Sequence, residues 1–184
     1  KSFGHVKYLY VTRATVVTQA ERIFQEYFTL TIRDGVEVLN IEQLRSRAGA
    51  IWIKDELVIQ QGKEVRVFKW RPMMNPVVIL WDECQALKNE DSIQHQIALA
   101  FSALPCETYQ VFISATPFTR VSEAKCFAVS TRKDISALLG MPAGTKLTAA
   151  TWPTYASAIS QNSKPDDYNE AAVERLVKDL DSYI

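Results

Sequence analysis

Two adjacent carboxylates, Asp82 and Glu83, close the apolar run Val77-Val78-Ile79-Leu80-Trp81 that follows Pro76. An unbroken apolar run of strand length reads as a central parallel strand, covered on both faces. Acids at the carboxyl end of such a strand stand in the crevice where open α/β sheets bind their ligands. Burying them is costly unless they hold a cation or move protons. Metal-assisted chemistry or proton transfer is therefore the sharp reading. The bland one is a buried strand that ends in an acidic turn.

A second apolar run, Gln110-Val111-Phe112-Ile113, ends in Ser114-Ala115-Thr116-Pro117, and an amphipathic stretch lies between the two runs. The first run with its acids is the Walker B pattern. On that pattern Asp82 would hold Mg²⁺ on a nucleoside triphosphate and Glu83 would polarise the attacking water. The order strand, DExx, helix, strand, SATP resembles motifs II and III of superfamily-two helicases. The fuller stretches DECQALKN and ISATPFTRVSEA are similar to those of the Swi/Snf-type DNA translocases, through Asp82, Glu83, Gln85, Lys88, Asn89, Ser114, Thr116, Pro117, Ser122 and Glu123. The resemblance implies that Gln85 couples the nucleotide to a second lobe. It also implies that Ser114, Ala115 and Thr116 link the hydrolysis site to the nucleic-acid site.

The elements that must position these residues follow in order. Lys7 to Val11 reads as a strand ending at Thr12-Arg13, and a helix follows from about Thr15, with Val16, Ala20, Ile23, Phe24 and Tyr27 on one apolar face. This unit resembles motif Ia, which implies that Arg13 and Thr15 touch a phosphate backbone. A helix N-terminus suits a phosphate in any case, and the alternative for Arg13 is a solvated loop charge. Val36 to Ile41 reads as a short strand and Glu42 to Arg47 as a helical turn placed like motif Ib, with Arg45 and Arg47 as weaker backbone candidates. Ile51 to Ile59 and Val65 to Trp70, joined across Gly62, read as a hairpin. Its Arg66, Lys69 and Arg71 interleave with Phe68 and Trp70, either as a nucleic-acid contact or, preferred here, as an edge hairpin with one face on the core.

Asp91 is placed to cap a helix that ends before Pro105, with Ile93, Ile97, Ala100, Phe101 and Leu104 as its buried stripe. His95 falls off that stripe and is expected in solvent. Cys84 is expected as a small buried packer. Cys126 to Ser130 reads as a further strand, and Asp134 to Leu139 as a short helix capped by Gly140. Gly144 to Ser163 receives no element, Gln161 to Asp167 reads as a polar loop, and Asn169 to Ile184 reads as a last helix with Val173, Leu176, Val177, Leu180 and Ile184 on one face.

The 184 residues suffice for one domain with a full core. Lys plus Arg and Asp plus Glu both number 21, so no global basic field announces a polynucleotide, although local patches can suffice. The three cysteines show no disulfide or metal-ligand spacing, which suggests reduced thiols in an intracellular protein, nuclear in a eukaryote and cytoplasmic in a bacterium. No run is long enough to cross a membrane, and the absence of a starting Met at Lys1 suggests a piece of a longer protein. No GxxxxGK[ST] loop is present to hold phosphates.

The expectation is therefore an α/β three-layer, RecA-like domain with a mostly parallel sheet and an inserted hairpin. The chain is read as a single, partial first lobe over residues 1–184, with the resemblance running from Lys7 to Ala124. The resemblance implies ATP and Mg²⁺ as cofactors, with Asp82 as the metal ligand, double-stranded DNA as partner, and a second RecA-like lobe supplied by the parent. The alternative is a degenerate lobe that binds or scaffolds without catalysis.

Overall fold

The computed structural model describes residues 6–28, 35–46, 48–60, 62–72, 76–104, 108–115, 118–161 and 163–180. They divide into two compact units, Lys1–Cys84 with Leu104–Ser114, and Gln85–Ala103 with Ala115–Ile184.

The first unit is α/β. It runs β1 (Lys7–Thr12), α1 (Val17–Phe28), β2 (Val36–Asn40), α2 (Ile41–Leu44), a 3₁₀ turn (Ala48–Ile51), β3 (Ile53–Gln60), β4 (Lys63–Trp70), β5 (Val77–Asp82) and β6 (Thr108–Ile113). The sheet order is β2-β1-β5-β6, and every neighbouring pair is parallel. This is the arrangement of a RecA-like α/β domain, with β3 and β4 as a separate antiparallel hairpin.

Register sorts the sheet into two faces. Leu9 aligns with Ile79 and Glu37, and Tyr10 with Leu80 and Val38. On the Tyr10 face, α1 packs Val17 and Ala20 against Val38, with Tyr10 and Phe24 alongside. On the Leu9 face, the Trp52 indole donates to Glu37 Oε2 at 2.6 Å, and the Lys7 ammonium lies 5.9 Å from the Trp52 ring centre. Gly35 makes the sharp entry into β2. Its φ is 84°, and a Cβ there would meet the Val6 carbonyl at 3.2 Å.

β5 is central, as its apolar run suggests, but its two faces are not equally covered. Val77 and Ile79 are fully buried and Trp81 nearly so, while Val78 and Leu80 are half-buried. The reason is register. Val78 and Leu80 align with Tyr109 and Val111 of β6, which are 63% and 43% exposed. α1 covers the β1–β2 half of that face, and it leaves Ile23 and Tyr27 of the expected stripe exposed while burying Val17.

The second unit is helical: α3 (Ile93–Ser102), α4 (Lys125–Ser130), α5 (Ser136–Leu139), α6 (Trp152–Ser160) and α7 (Glu170–Leu180). Three expectations are corrected here. Residues 126–130 form helix α4, not a strand; Cys126, Phe127, Ala128 and Val129 are all buried, so an apolar run of this length carries no period to separate the two. His95 is buried at 1% exposure, because α3 buries His95, Ala98 and Ser102 as well as Ile97 and Phe101. Ser92, not Asp91, caps α3, accepting from the His95 N–H at 3.1 Å. Gly140 closes α5 in the left-handed conformation at φ 60°, as expected. α6 fills the stretch without an assigned element, and Trp152, Tyr155, Ala156 and Ile159 are its buried residues. α7 buries Ala172, Leu176 and Leu180, whereas Val177 is 47% exposed.

Lys133 is 8% exposed in this unit and bonds Asp179 Oδ2 at 2.7 Å, while the Tyr155 hydroxyl donates to the same oxygen at 2.5 Å. Burial, reinforced by Asp179, pushes the Tyr155 pKa upward. No helix among the described residues is long and apolar enough to cross a membrane.

Candidate functional site

The carboxyl ends of β1, β2, β5 and β6 define one edge of the sheet in the first unit. Asp82 ends β5 there, between β1 and β6, and is half-buried. The Thr12 hydroxyl, at the end of β1, donates to Asp82 Oδ2 at 2.7 Å. Tyr10, two residues earlier on the same face, hydrogen-bonds Asp82 as well. Burial first, and then the Asp82 carboxylate, push the Tyr10 pKa up to about 12. The phenol therefore stays protonated and acts as a donor. Two hydroxyls on the neighbouring strand thus orient this carboxylate.

Glu83 follows in a turn at φ 54°, in the left-handed region that non-glycine residues rarely adopt. Such a conformation costs on the order of 1–3 kcal/mol and concentrates at functional sites. Glu83 Oε1 lies 3.5 Å from Arg13 Nη2. Both side chains are largely exposed, at 42% and 61%. An ion pair this open is worth about 0–1 kcal/mol. Arg13, expected on a phosphate, is therefore held weakly by the acid expected to activate water. Thr15 is exposed in the turn before α1, where Val16 N–H bonds the Arg13 carbonyl at 2.9 Å.

Cys84 is 2% exposed, the small packer expected. Burial raises its thiol to about 11, although a hydrogen bond with the Ser114 side chain opposes the shift. It is a neutral thiol at ordinary pH, not a nucleophile. The same bond joins the DExx turn to the first residue of the SATP stretch. Register agrees, since Asp82 aligns with Ile113. Thr116 lies outside the described residues, as do Pro117, Arg47 and Cys106.

Arg45 is the C-cap residue of α2, and its guanidinium lies 5.4 Å from the centre of the Phe68 ring. That brings the motif-Ib-like turn and the hairpin together. Only the base of the hairpin is buried, through Ile53, Phe68 and Trp70, while Leu57 and Ile59 are 65% and 77% exposed.

In the second unit, Gln85 is half-buried in the 3₁₀ turn Cys84–Leu87, and Ala115 is exposed. Lys88 Nζ lies 3.6 Å from Glu123 Oε2, which also accepts from the Thr119 N–H at 2.7 Å and its hydroxyl at 3.1 Å. Burial alone would raise the Glu123 pKa, but the Thr119 bonds and the Lys88 charge carry it below the usual range. Lys88 and Glu123, which belong to the two motif-like stretches, are therefore partners.

The Asp82 edge offers hard oxygen donors, which suit Mg²⁺. Among the described residues no group of three or more His, Cys, Asp or Glu could form a closed cage. Asp82, bonded by Thr12 and Tyr10, is the carboxylate on this edge that could take part in holding such a cation. The residues that sequence reasoning missed are Tyr10 and Thr12. Their i, i+2 spacing puts them on one face, but nothing local says that this face meets Asp82.

The first unit is thus a parallel-sheet α/β unit of RecA-like type with an oriented acidic turn at its carboxyl edge. Comparison of the chain with known protein families, characterised proteins and solved structures finds no match.

Proposed function

We propose that this chain is part of the first motor lobe of a Swi/Snf-like, superfamily-two ATPase that moves on double-stranded DNA. The observation that carries the reading is the oriented Asp82 at the end of the central strand, hydrogen-bonded by Thr12 at 2.7 Å and followed by Glu83 in a left-handed turn. Asp82 holds the cation through a carboxylate that Thr12 and Tyr10 keep in one orientation. Mg²⁺, when bound, neutralises charge on the phosphate oxygens. Glu83 accepts the proton of the attacking water. Gln85 couples the nucleotide to the second lobe, and Ser114, Ala115 and Thr116 couple it to DNA held by Arg13, Thr15, Arg45 and Lys88.

The 184 residues contain no GxxxxGK[ST] loop, so the phosphates must be cradled by residues outside them. The chain alone is expected to release no phosphate from ATP above background, since an arginine finger by itself is worth roughly 10³–10⁵ in rate. Turnover that Asp82→Ala abolishes would overturn that expectation. In a longer protein that supplies the missing parts, Glu83→Gln should lower turnover by about 10²–10⁴-fold and keep ATP affinity. Asp82→Asn should weaken Mg²⁺-dependent ATP binding as well. Near-normal hydrolysis by Glu83→Gln would end the motor reading.

A second reading is a lobe that binds or scaffolds without hydrolysis. The Arg13–Glu83 pair favours it, because it engages the carboxylate that must act as base. On that reading both substitutions change stability alone.

A further inference from the structure

We propose that a cavity at the base of the hairpin is a phosphate-group site built by Arg45 and Arg71. The cavity is about 280 Å³ and is lined by Arg45 and Ser46 after β2 and by Ile53, Asp55, Phe68 and Arg71 of the hairpin region, among others.

Charge makes the assignment. The other hairpin cations beside it are neutralised: Lys54 and Lys69 bond Glu56 at 2.6 and 2.5 Å, and Arg66 lies 3.3 Å from Asp55. Asp55 is the acid in the cavity wall, so its charge is already met by Arg66. Among the described residues no carboxylate lies within ion-pair distance of Arg45 or Arg71. Two uncompensated guanidinium groups therefore share one concave site.

Both heads are held in place before any ligand arrives. The buried Phe68 ring supports Arg45 from one side, 5.4 Å from its guanidinium carbon. Arg71 bonds the Ala50 carbonyl through its Nε, and among the described residues its two terminal nitrogens face no carboxylate within ion-pair distance. Planar guanidinium forks match the oxygens of carboxylate and phosphate. Two forks on different elements favour phosphate, whose tetrahedral oxygens accept in more than one plane. Size argues the same way. The volume falls just under the roughly 300–1,000 Å³ of pockets that enclose a whole drug-sized ligand. It suits one phosphate group and its waters better than an entire nucleotide.

Arg45 follows β2 at the same sheet edge that carries Arg13 and Asp82, so a polynucleotide backbone along that edge is one source of the phosphate. A free phosphate or pyrophosphate is the other. The polynucleotide arm rests on the function proposed above, and the free-phosphate arm does not.

The test uses the 184-residue chain with two probes, a fluorescein-labelled DNA duplex followed by anisotropy across a salt series, and inorganic pyrophosphate followed by calorimetry. Bonds to a charged group are worth about 1.5–3 kcal/mol, so Arg45→Gln and Arg71→Gln should each weaken the bound probe about tenfold or more. Each should also flatten the salt slope for the duplex by about one. Arg71→Lys keeps the charge and loses the fork, and should weaken binding a few-fold. Lys63→Gln, at the far end of the hairpin, should change neither probe. Melting curves alongside separate lost binding from lost folding, and Arg71→Lys carries the test if Arg71→Gln does not fold. Pyrophosphate binding that needs both arginines, with duplex binding absent or indifferent to them, leaves the site standing with free phosphate as its source. It would also remove this part of the edge from the nucleic-acid reading. If neither probe depends on Arg45 or Arg71, the proposal is overturned.

Discussion

Asp82 and Glu83 are neighbours in the chain with different surroundings. Asp82 is half-buried and bonded by hydroxyls of the adjacent strand, whereas Glu83 sits in a left-handed turn with its side chain 42% exposed and Arg13 beside it. That division suits a fixed cation ligand beside an exposed acid. His95 shows the opposite economy of exposure. Its Nδ1 bonds the Leu87 carbonyl at 2.7 Å, and its buried Nε2 has no hydrogen-bond partner among the described residues. Burial lowers its pKa below the usual 6.5, with the Leu87 carbonyl opposing. The folded state therefore binds fewer protons there than the unfolded state, so stability rises with pH. The contribution is complete above about 6.5 and is lost as pH falls from there through the lower folded-state value. Urea unfolding between pH 7.5 and 6 should show the onset of this loss, and His95→Gln should remove most of the slope there. An unchanged slope in the variant would place the titration elsewhere.

At the scale of elements, caps and register decide what a short piece becomes. α2 is four residues long and is held by a reciprocal box, with Asn40 accepting from Gln43 N–H at 2.8 Å and Gln43 Oε1 accepting from Asn40 N–H at 2.9 Å. α3 depends in the same way on Ser92. Ser92→Ala should cost about 1 kcal/mol of stability, within the 0.5–2 kcal/mol range for lost N-caps, while Asp91→Ala should cost little. Equal losses would mean that the helix starts one residue earlier. The hairpin is buried at its base and bare beyond it. Phe68→Ala should cost about 3–5 kcal/mol, and Ile59→Ala less than about 0.5 kcal/mol. Chemical denaturation of the two variants distinguishes them.

At the scale of the whole molecule, positive and negative charges balance at 21 each, so any polynucleotide must be held by local features. Of the four DNA contacts proposed above, Arg13, Thr15, Arg45 and Lys88, two carry carboxylate partners, Arg13 and Lys88, and Arg45 stands in a cavity with Arg71 instead. Stability of the second unit rests partly on Lys133, whose side chain is 10% exposed and whose ammonium bonds Asp179 beside Tyr155. Breaking a buried pair costs about 3–5 kcal/mol. Asp179 is 28% exposed, so Lys133→Ala should cost less, about 2 kcal/mol. Lys133→Met with Asp179→Leu and Tyr155→Phe should recover part of that loss, because neither a charge nor the Tyr155 hydroxyl that Asp179 accepts from is then left unpaired. A triple variant less stable than Lys133→Ala would show that the pair contributes more than its replacement.

Local chemistry was enough to read the parallel αβ core. The strands β1, β2, β5 and β6, the acids at Asp82 and Glu83, the buried Cys84 and the Gly140 cap all follow from apolar runs, turn residues and chain order. Those signals act over a few residues, so they survive without tertiary context. Helix α4 did not follow, because a five-residue apolar run has no resolvable period. The burial of His95 did not follow, because α3 is covered on more than one side and a single stripe underestimates that. Tertiary structure alone brought Tyr10 and Thr12 to Asp82, seventy residues away in the case of Thr12. It alone paired Arg13 with Glu83, and set Arg45 beside Phe68 and Arg71. The reason is physical: alternation tells which face a strand residue takes, but only the pairing of one strand with another decides what that face meets.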